Sequence, residues 1–218
     1  MNIDVKDLTE QVTVLGDKIY VYKDMILGAK NFIKELDLID HGHIEDAEVN
    51  CPMGDWVDWT ANDNENCLYG KQRTGHFDSK QPLKEMSRGH KKAVSMSNQI
   101  KQCAISLQKH YTGSLKITDP SYLPPVYDIK IYHVGADMGS HYDRYPHADN
   151  KTVLSGVIYL NDDYEGGELY FENQDIKIKP EAGSVIFFPS TEDFTHSSLI
   201  ITEGQKECVP LFFYENPS

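Results

Sequence analysis

Beyond Val126 the chain is cut into short apolar runs that alternate with polar residues and are separated by glycine, proline, asparagine and aspartate. This spacing rules out a helical bundle for that half, because strand residues alternate between two faces while helices repeat every three to four residues. It predicts strands over Tyr127–Val134, Val153–Asn161, Glu168–Glu172, Ile176–Lys179, Ser184–Phe188, Thr195–Thr202 and Lys206–Tyr214. Leu169 and Phe171 share one face of their run, and Asn173-Gln174-Asp175 reads as a hairpin turn into the next. Glu203-Gly204 supplies another turn. Many short strands at regular spacing point to a sandwich or barrel.

The first half has a different character. Val12–Leu15 and Ile19–Tyr22 suit strands, while Met25, Ile26, Leu27, Ala29, Phe32, Ile33 and Leu36 have a helical period. An amphipathic helix is therefore expected to end near Leu36–Leu38. Residues 41–90 are polar and weakly periodic, which predicts a mostly irregular stretch carrying Trp56, Trp59, Tyr69 and Phe77. Val94, Ile100, Ala104, Ile105 and Leu107 predict a second helix from about Lys92 to Tyr111. Gly113, Pro120, Pro124 and Pro125 then punctuate the chain up to the first strand of the second half. The expected organisation is one domain over 1–218, with a helical and loop support region (1–125) packed on a strand-rich region (126–218).

The formal charge of −13 argues against nucleic acid as a partner, since phosphate tracking draws on clustered Lys and Arg. A basic peptide would be attracted, although solubility alone accounts for an acidic surface. Cys51, Cys67, Cys103 and Cys208 form no CxxC pair, so reduced thiols are expected rather than a disulfide framework or a zinc site. The opening MNIDVKDLTEQ lacks a basic and apolar leader, and no apolar run reaches membrane-spanning length. A soluble, cytoplasmic protein is the expectation; oligomeric state is not legible.

One constellation carries chemistry. His141-Tyr142-Asp143 places an imidazole and a carboxylate two residues apart, on one side of a strand. His196, in a later predicted strand, supplies a second imidazole. Two histidines and one carboxylate on one face of a metal, with open positions opposite, form the donor set of non-haem Fe(II) oxygenases. His147-Ala148-Asp149 competes for the role, but Pro146, Asp149 and Asn150 mark it as a turn. Lys206, ten positions after His196, could pair there with a small dicarboxylic acid, since a buried ammonium is costly without a partner. By itself, without the His-Asp-His trio, it reads as an ordinary solvated lysine beside a glycine turn. His41 and His43 have no organising spacing and read as a solvated turn.

Residues from about Tyr127 to Tyr214 resemble the catalytic core of prolyl 4-hydroxylases, within the Fe(II)/2-oxoglutarate oxygenases. The matching pieces are Tyr132-x-x-Gly135, His141-x-Asp143, Tyr159-Leu160-Asn161, Glu165-Gly166-Gly167-Glu168, Pro180-x-x-Gly183 with Phe187-Phe188, and His196 with Lys206 after it, all in the family's order. The resemblance implies a mainly β, α+β fold: a double-stranded β-helix (jelly roll) with supporting N-terminal helices. It implies that His141, Asp143 and His196 bind Fe(II) and that Lys206, with Tyr159 and Tyr132, binds 2-oxoglutarate. Gly166 and Gly167 are expected to serve a turn or a close backbone approach. O2 is the further cosubstrate implied, and ascorbate a candidate auxiliary.

The implied activity is hydroxylation of an unactivated C–H bond, foremost that of a peptidyl prolyl residue, with release of succinate and CO2. Asp143 argues against halogenation, which needs a small residue there. Two departures bear on substrate: Glu207 comes directly after the lysine where the family carries Trp, and Phe212 stands where a second Trp is common. The rivals are oxidation of a small molecule or a modified nucleobase, and a non-catalytic cupin-like barrel. Substrate loops are expected around Trp56–Phe77 and Arg144–Asn150.

Overall fold

The computed structural model describes residues 8, 10–32, 34, 40–43, 56–59, 72–78, 88–115, 121–122, 126–144 and 152–215. The strands are β1 (Val12–Leu15), β2 (Ile19–Tyr22), β3 (Asp40–His43), β4 (Trp56–Trp59), β5 (Gln72–Asp78), β6 (Ser121–Tyr122), β7 (Val126–His133), β8 (Met138–His141), β9 (Thr152–Tyr159), β10 (Glu165–Gly166), β11 (Leu169–Phe171), β12 (Ile176–Ile178), β13 (Val185–Pro189), β14 (His196–Ser198), β15 (Ile201–Glu203) and β16 (Gln205–Glu215). The major sheet runs β1-β2-β13-β9-β16-β7-β5-β4-β3, with β6 on the far end of β16, and the minor sheet runs β12-β11-β14-β8. The chain moves to the minor sheet at β8, back at β9, over at β11 and β12, back at β13, over at β14 and back at β16. That winding is the expected double-stranded β-helix.

Alternation along the strands builds two cores from one sheet. Val209, Leu211 and Phe213 of β16, Ile129 and Ile131 of β7, Ile158 of β9 and Phe187 of β13 pack with the long helix Arg88–Ser114 through Ile100, Ala104, Leu107 and Tyr111. The intervening residues face the minor sheet: Tyr132, Tyr159, Ile186, Phe188 and Cys208 meet Leu169, Phe171 and Ile178. The inner space between the sheets is where polar groups of the candidate site gather.

Several expectations are corrected. No α-helix forms over Met25–Phe32; the segment bends and closes a 3-10 turn at Ala29–Asn31. Asp24 and Gly28 adopt positive φ, and the Met25 and Ile26 amides donate to the Gly183 carbonyl, so the start of this segment bonds to the barrel and only its end, from Gly28 to Phe32, bonds to itself. Within residues 41–90, expected to be mostly irregular, the described residues include β4 and β5, which extend the major sheet beyond β7, and the rest of that expectation falls largely outside the described residues. Strand pairing of this kind is non-local and leaves little periodic trace in a polar sequence. His41 and His43 lie on β3, not in a turn; the substrate loop expected over Trp56–Phe77 contains β4 and most of β5, and residues 60–71 and 145–151 fall outside the described residues. The strand expected over Thr195–Thr202 is two strands, β14 and β15, each with a different partner.

Phe187 is fully buried and meets Tyr22, Tyr111 and Phe213 edge-on, with ring centroids 5.7–6.0 Å apart. Phe187→Ala should cost about 3–5 kcal/mol in guanidinium unfolding; a loss under about 1 kcal/mol would show that the helix-side core does not depend on it.

Candidate metal centre and cosubstrate pocket

β14 pairs antiparallel with β8 so that His196 stands opposite His141, and the register shifts before Ser198 meets Met138. The two imidazoles lie 4.4 Å apart, centroid to centroid. Strand β8 ends at His141, so Asp143 is held in the bend beyond it and not on the strand itself. Its carboxylate still reaches both rings: Oδ1 is 3.5 Å from His141 Nε2 and Oδ2 is 3.8 Å from His196 Nε2. Donor atoms of all three residues lie within 4.8 Å of one another.

Hydrogen bonds on the far side of each ring fix which nitrogen faces inward. His141 Nδ1 donates to the Gly139 carbonyl at 2.7 Å and His196 Nδ1 to the Phe194 carbonyl at 3.0 Å. With Nδ1 carrying the proton, Nε2 presents a lone pair toward Asp143, the tautomer a metal requires. Burial between Phe171 and Phe188 also lowers the His196 pKa, which keeps that ring neutral. A small ion with ligand bonds of roughly 2.1 Å brings donors roughly 3 Å apart, so small inward shifts complete the set. Two imidazoles and one carboxylate fit Fe(II). His141 is the most exposed of the three, with Asp143 and His196 below it.

Lys206 sits on the facing sheet, opposite Tyr132 in the β16–β7 register, and is 3% exposed. Its ammonium crosses to the minor sheet side, donating to Ser198 Oγ at 2.6 Å and to the Gly167 carbonyl at 3.0 Å. Tyr132 and Tyr159 flank it, with ring centroids 5.3 and 5.5 Å from Nζ. Desolvation pulls the Lys206 pKa down and pushes the Tyr159 phenol well up. Gly167 has φ +68° and Gly166 φ +72°, and a Cβ on Gly166 would fall 2.1 Å from the Ile200 carbonyl oxygen. The expected close backbone approach is therefore real, and it delivers the carbonyl that Lys206 meets.

All the candidate residues line one cavity: His141, Asp143, His196, Lys206, Tyr132 and Tyr159. The sequence reading missed Ser198, Phe188 and Lys130 on the same walls. Strict alternation would have found Ser198, two residues after His196, and Lys130, two before Tyr132. The competing His147 and Asp149 lie outside the described residues. Glu207 does not line the cavity. It is buried on the other face of β16, accepting from Gln205 Nε2 at 2.7 Å, while Phe212 does line the cavity.

His196→Ala should abolish stoichiometric Fe(II) binding in an anaerobic titration; retention of the parent affinity would remove His196 from the ligand set. A second expectation concerns pH. Burial raises the Glu207 carboxyl above the usual carboxylate range. A carboxyl whose folded pKa exceeds its unfolded one loses its stabilising contribution as pH rises through the folded value. Glu207→Gln should therefore unfold at higher denaturant than the parent at mildly alkaline pH, with the gap closing in acid. A constant gap would show that ionisation of Glu207 is not penalised.

Comparison with known proteins agrees with this geometry. Residues 127–214 match the 2OG-Fe(II) oxygenase superfamily. A PKHD-type hydroxylase of Prochlorococcus marinus (strain NATL1A) is 40% identical over 81 residues, 35% of this chain and 36% of that protein. Prolyl 3-hydroxylase 2 of Rattus norvegicus is 40% identical over 68 residues, 29% of this chain. The chain spans about a tenth of the latter's length. Among solved structures, the viral collagen prolyl hydroxylase of Paramecium bursaria Chlorella virus-1, in its 2OG complex, superposes with a TM-score of 0.61 at 15% identity, covering 93% of this chain and 98% of that one. A Trichoplax adhaerens prolyl hydroxylase in complex with a hypoxia inducible factor peptide fragment gives 0.60 at 15% identity, covering 97% and 87%. These two likenesses establish the shared jelly-roll fold. The segment similar to the 2OG-Fe(II) oxygenase superfamily thus contains His141, Asp143 and His196, whose donor atoms the fold brings together, and Lys206.

Proposed function

We propose that this protein is a 2-oxoglutarate-dependent dioxygenase that hydroxylates an unactivated C–H bond, foremost that of a peptidyl prolyl residue. The observation that carries the proposal is the spacing of the two polar ends of the cavity. Ser198, which touches the Lys206 ammonium, is two residues along β14 from His196. At about 3.3 Å per residue the separation is roughly 7 Å, the reach of a five-carbon dicarboxylate.

His141, Asp143 and His196 would hold Fe(II) on one face, and Lys206 would take the distal carboxylate of 2-oxoglutarate. The metal supplies activation of O2, whose two atoms end in succinate and in the hydroxyl of the product, as CO2 leaves. The chain's own share is positional. Lys206, Ser198 and the two tyrosines orient the cosubstrate, and the apolar walls of Val157, Phe188 and Phe212 exclude water. The region 1–125 supports the barrel through the long helix and the added strands, within one domain over 1–218.

A prolyl substrate is supported by the relatives and neighbours named as prolyl hydroxylases and by an aromatic at Phe212 on the cavity wall. Glu207, the departure that spoke against it, faces away from the cavity. A peptide would enter past His141, the exposed ligand.

The test is succinate release from 2-oxoglutarate with Fe(II) and O2, with and without Pro-rich peptides. Stimulation by peptide, with a mass gain of one oxygen on proline, is expected; stimulation by small metabolites alone would reassign the substrate. Lys206→Ala should raise the 2-oxoglutarate KM by about 100-fold, the loss of a charge-assisted pair worth about 3 kcal/mol. An unaltered KM would count against the anchor.

A further inference from the structure

The backbone on either side of Lys206 is held by a side chain at the point where strand pairing runs out. β9 ends at Tyr159, and the pair it makes with Cys208 is the last of the β9–β16 register in that direction. β16 starts before that pair, at Gln205, so Gln205–Glu207 are paired with β7 on one side and extend past β9 on the other. On the β9 side the Leu160 amide donates to the Glu207 carbonyl at 2.9 Å. Asn161 then continues with its side chain. Its Oδ1 accepts from the Glu207 amide at 2.8 Å, and its Nδ2 donates to the Gln205 carbonyl at 2.7 Å. One primary amide thus bonds the carbonyl before Lys206 and the amide after it, as a residue of a neighbouring strand would.

Resting on the oxygenase reading above, we propose that Asn161 is the positioning residue of the cosubstrate anchor, fixing the backbone from which Lys206 reaches the distal carboxylate of 2-oxoglutarate. The amide is 5% exposed, so its bonds meet little competition from water. Its orientation is determined as well. Nδ2 also donates to Asp163 Oδ1 at 2.7 Å, and a flipped amide would set oxygen against two acceptors and nitrogen against a donor. The turn before β16 rests on the same segment: Gly204 has φ +73°, and a Cβ there would fall 2.7 Å from the Asp163 carbonyl oxygen. Ser198 and the Gly167 carbonyl hold the tip of Lys206. Asn161 holds its root. The metal ligands stand on β8, in the bend after it and on β14, and Asn161 bonds to none of these among the described residues. Its loss should therefore be felt at the cosubstrate end and not at the metal.

The experiment compares the parent with Asn161→Ala, Lys206→Met and the double variant. Fe(II) and then 2-oxoglutarate are titrated under argon, and succinate release gives KM and kcat separately. Asn161→Ala is expected to weaken 2-oxoglutarate about tenfold and raise its KM by the same factor, through misplacement of a binding group. Fe(II) affinity and kcat at saturating 2-oxoglutarate should stay within about twofold of the parent. In the Lys206→Met background the same substitution should change 2-oxoglutarate affinity by less than about twofold, because no ammonium is left to position. Asn161→Asp is nearly isosteric, keeps the acceptor for the Glu207 amide and loses both donors. It should weaken 2-oxoglutarate in the same way, and it carries the comparison if Asn161→Ala does not fold.

A variant that loses Fe(II) affinity in step with 2-oxoglutarate, or weakens 2-oxoglutarate equally with and without Lys206, overturns the proposal, since the amide would then serve the barrel as a whole. Failure of both Asn161 variants to fold has the same meaning. A folded variant with the parent's 2-oxoglutarate affinity overturns it too. Each of these outcomes leaves the oxygenase reading intact. A parent that shows no iron-dependent binding of 2-oxoglutarate overturns both.

Discussion

Pairing of β14 with β8 is the constraint on which the site rests. It sets His196 opposite His141 and, two residues on, carries Ser198 to the place where the Lys206 ammonium arrives from the other sheet. Because side chains alternate along a strand, a slip of one residue in β14 would turn His196 and Ser198 out of the cavity together. One register therefore fixes both the candidate metal end and the end proposed for the cosubstrate. The carbonyls of Gly139 and Phe194 finish the arrangement by holding each imidazole through Nδ1, so orientation comes from backbone that is itself locked into sheet and turn.

The buried ammonium of Lys206 is the costliest group in this arrangement, and its surroundings show how the fold tolerates it. A carbonyl, a hydroxyl and two aromatic faces solvate it only partly, and burial pulls its pKa down. Its remaining capacity to bind an anion is then an asset, since an incoming carboxylate meets a charge already stripped of water. The Gly166-Gly167 pair belongs to the same logic. Positive φ at both residues lets the backbone approach Ile200 closely and aims the Gly167 carbonyl at the lysine.

Alternation also resolves the departure at position 207. Lys206, Cys208, Pro210 and Phe212 line the cavity, while Val209, Leu211 and Phe213 pack with the long helix. Glu207 belongs to the second set's side, so replacing an aromatic there changes the support of the barrel and not the wall that a substrate meets. Phe212 keeps an aromatic ring on that wall.

The sequence by itself determined the strand-rich half and the Asn173–Asp175 hairpin, because each is written in local spacing, as period-two alternation and turn residues. It singled out His141-x-Asp143 as a candidate pair by strand spacing, while His196 and Lys206 gained their candidate roles from the order of motifs that the family resemblance supplies. The tertiary structure alone decided what is not local. β5 forms on the edge that β7 offers, with β4 added beyond it, and Met25–Phe32 bends, with positive φ at Gly28 and its first two amides bonded to the Gly183 carbonyl, where local period alone suggested a helix. Likewise only the packed sheets showed that Ser198 and Gly167 cradle Lys206, that Glu207 looks outward and that Lys130 looks in. Those facts depend on which faces are brought together across the barrel, and a residue's face acquires meaning only when its partner strand is in place.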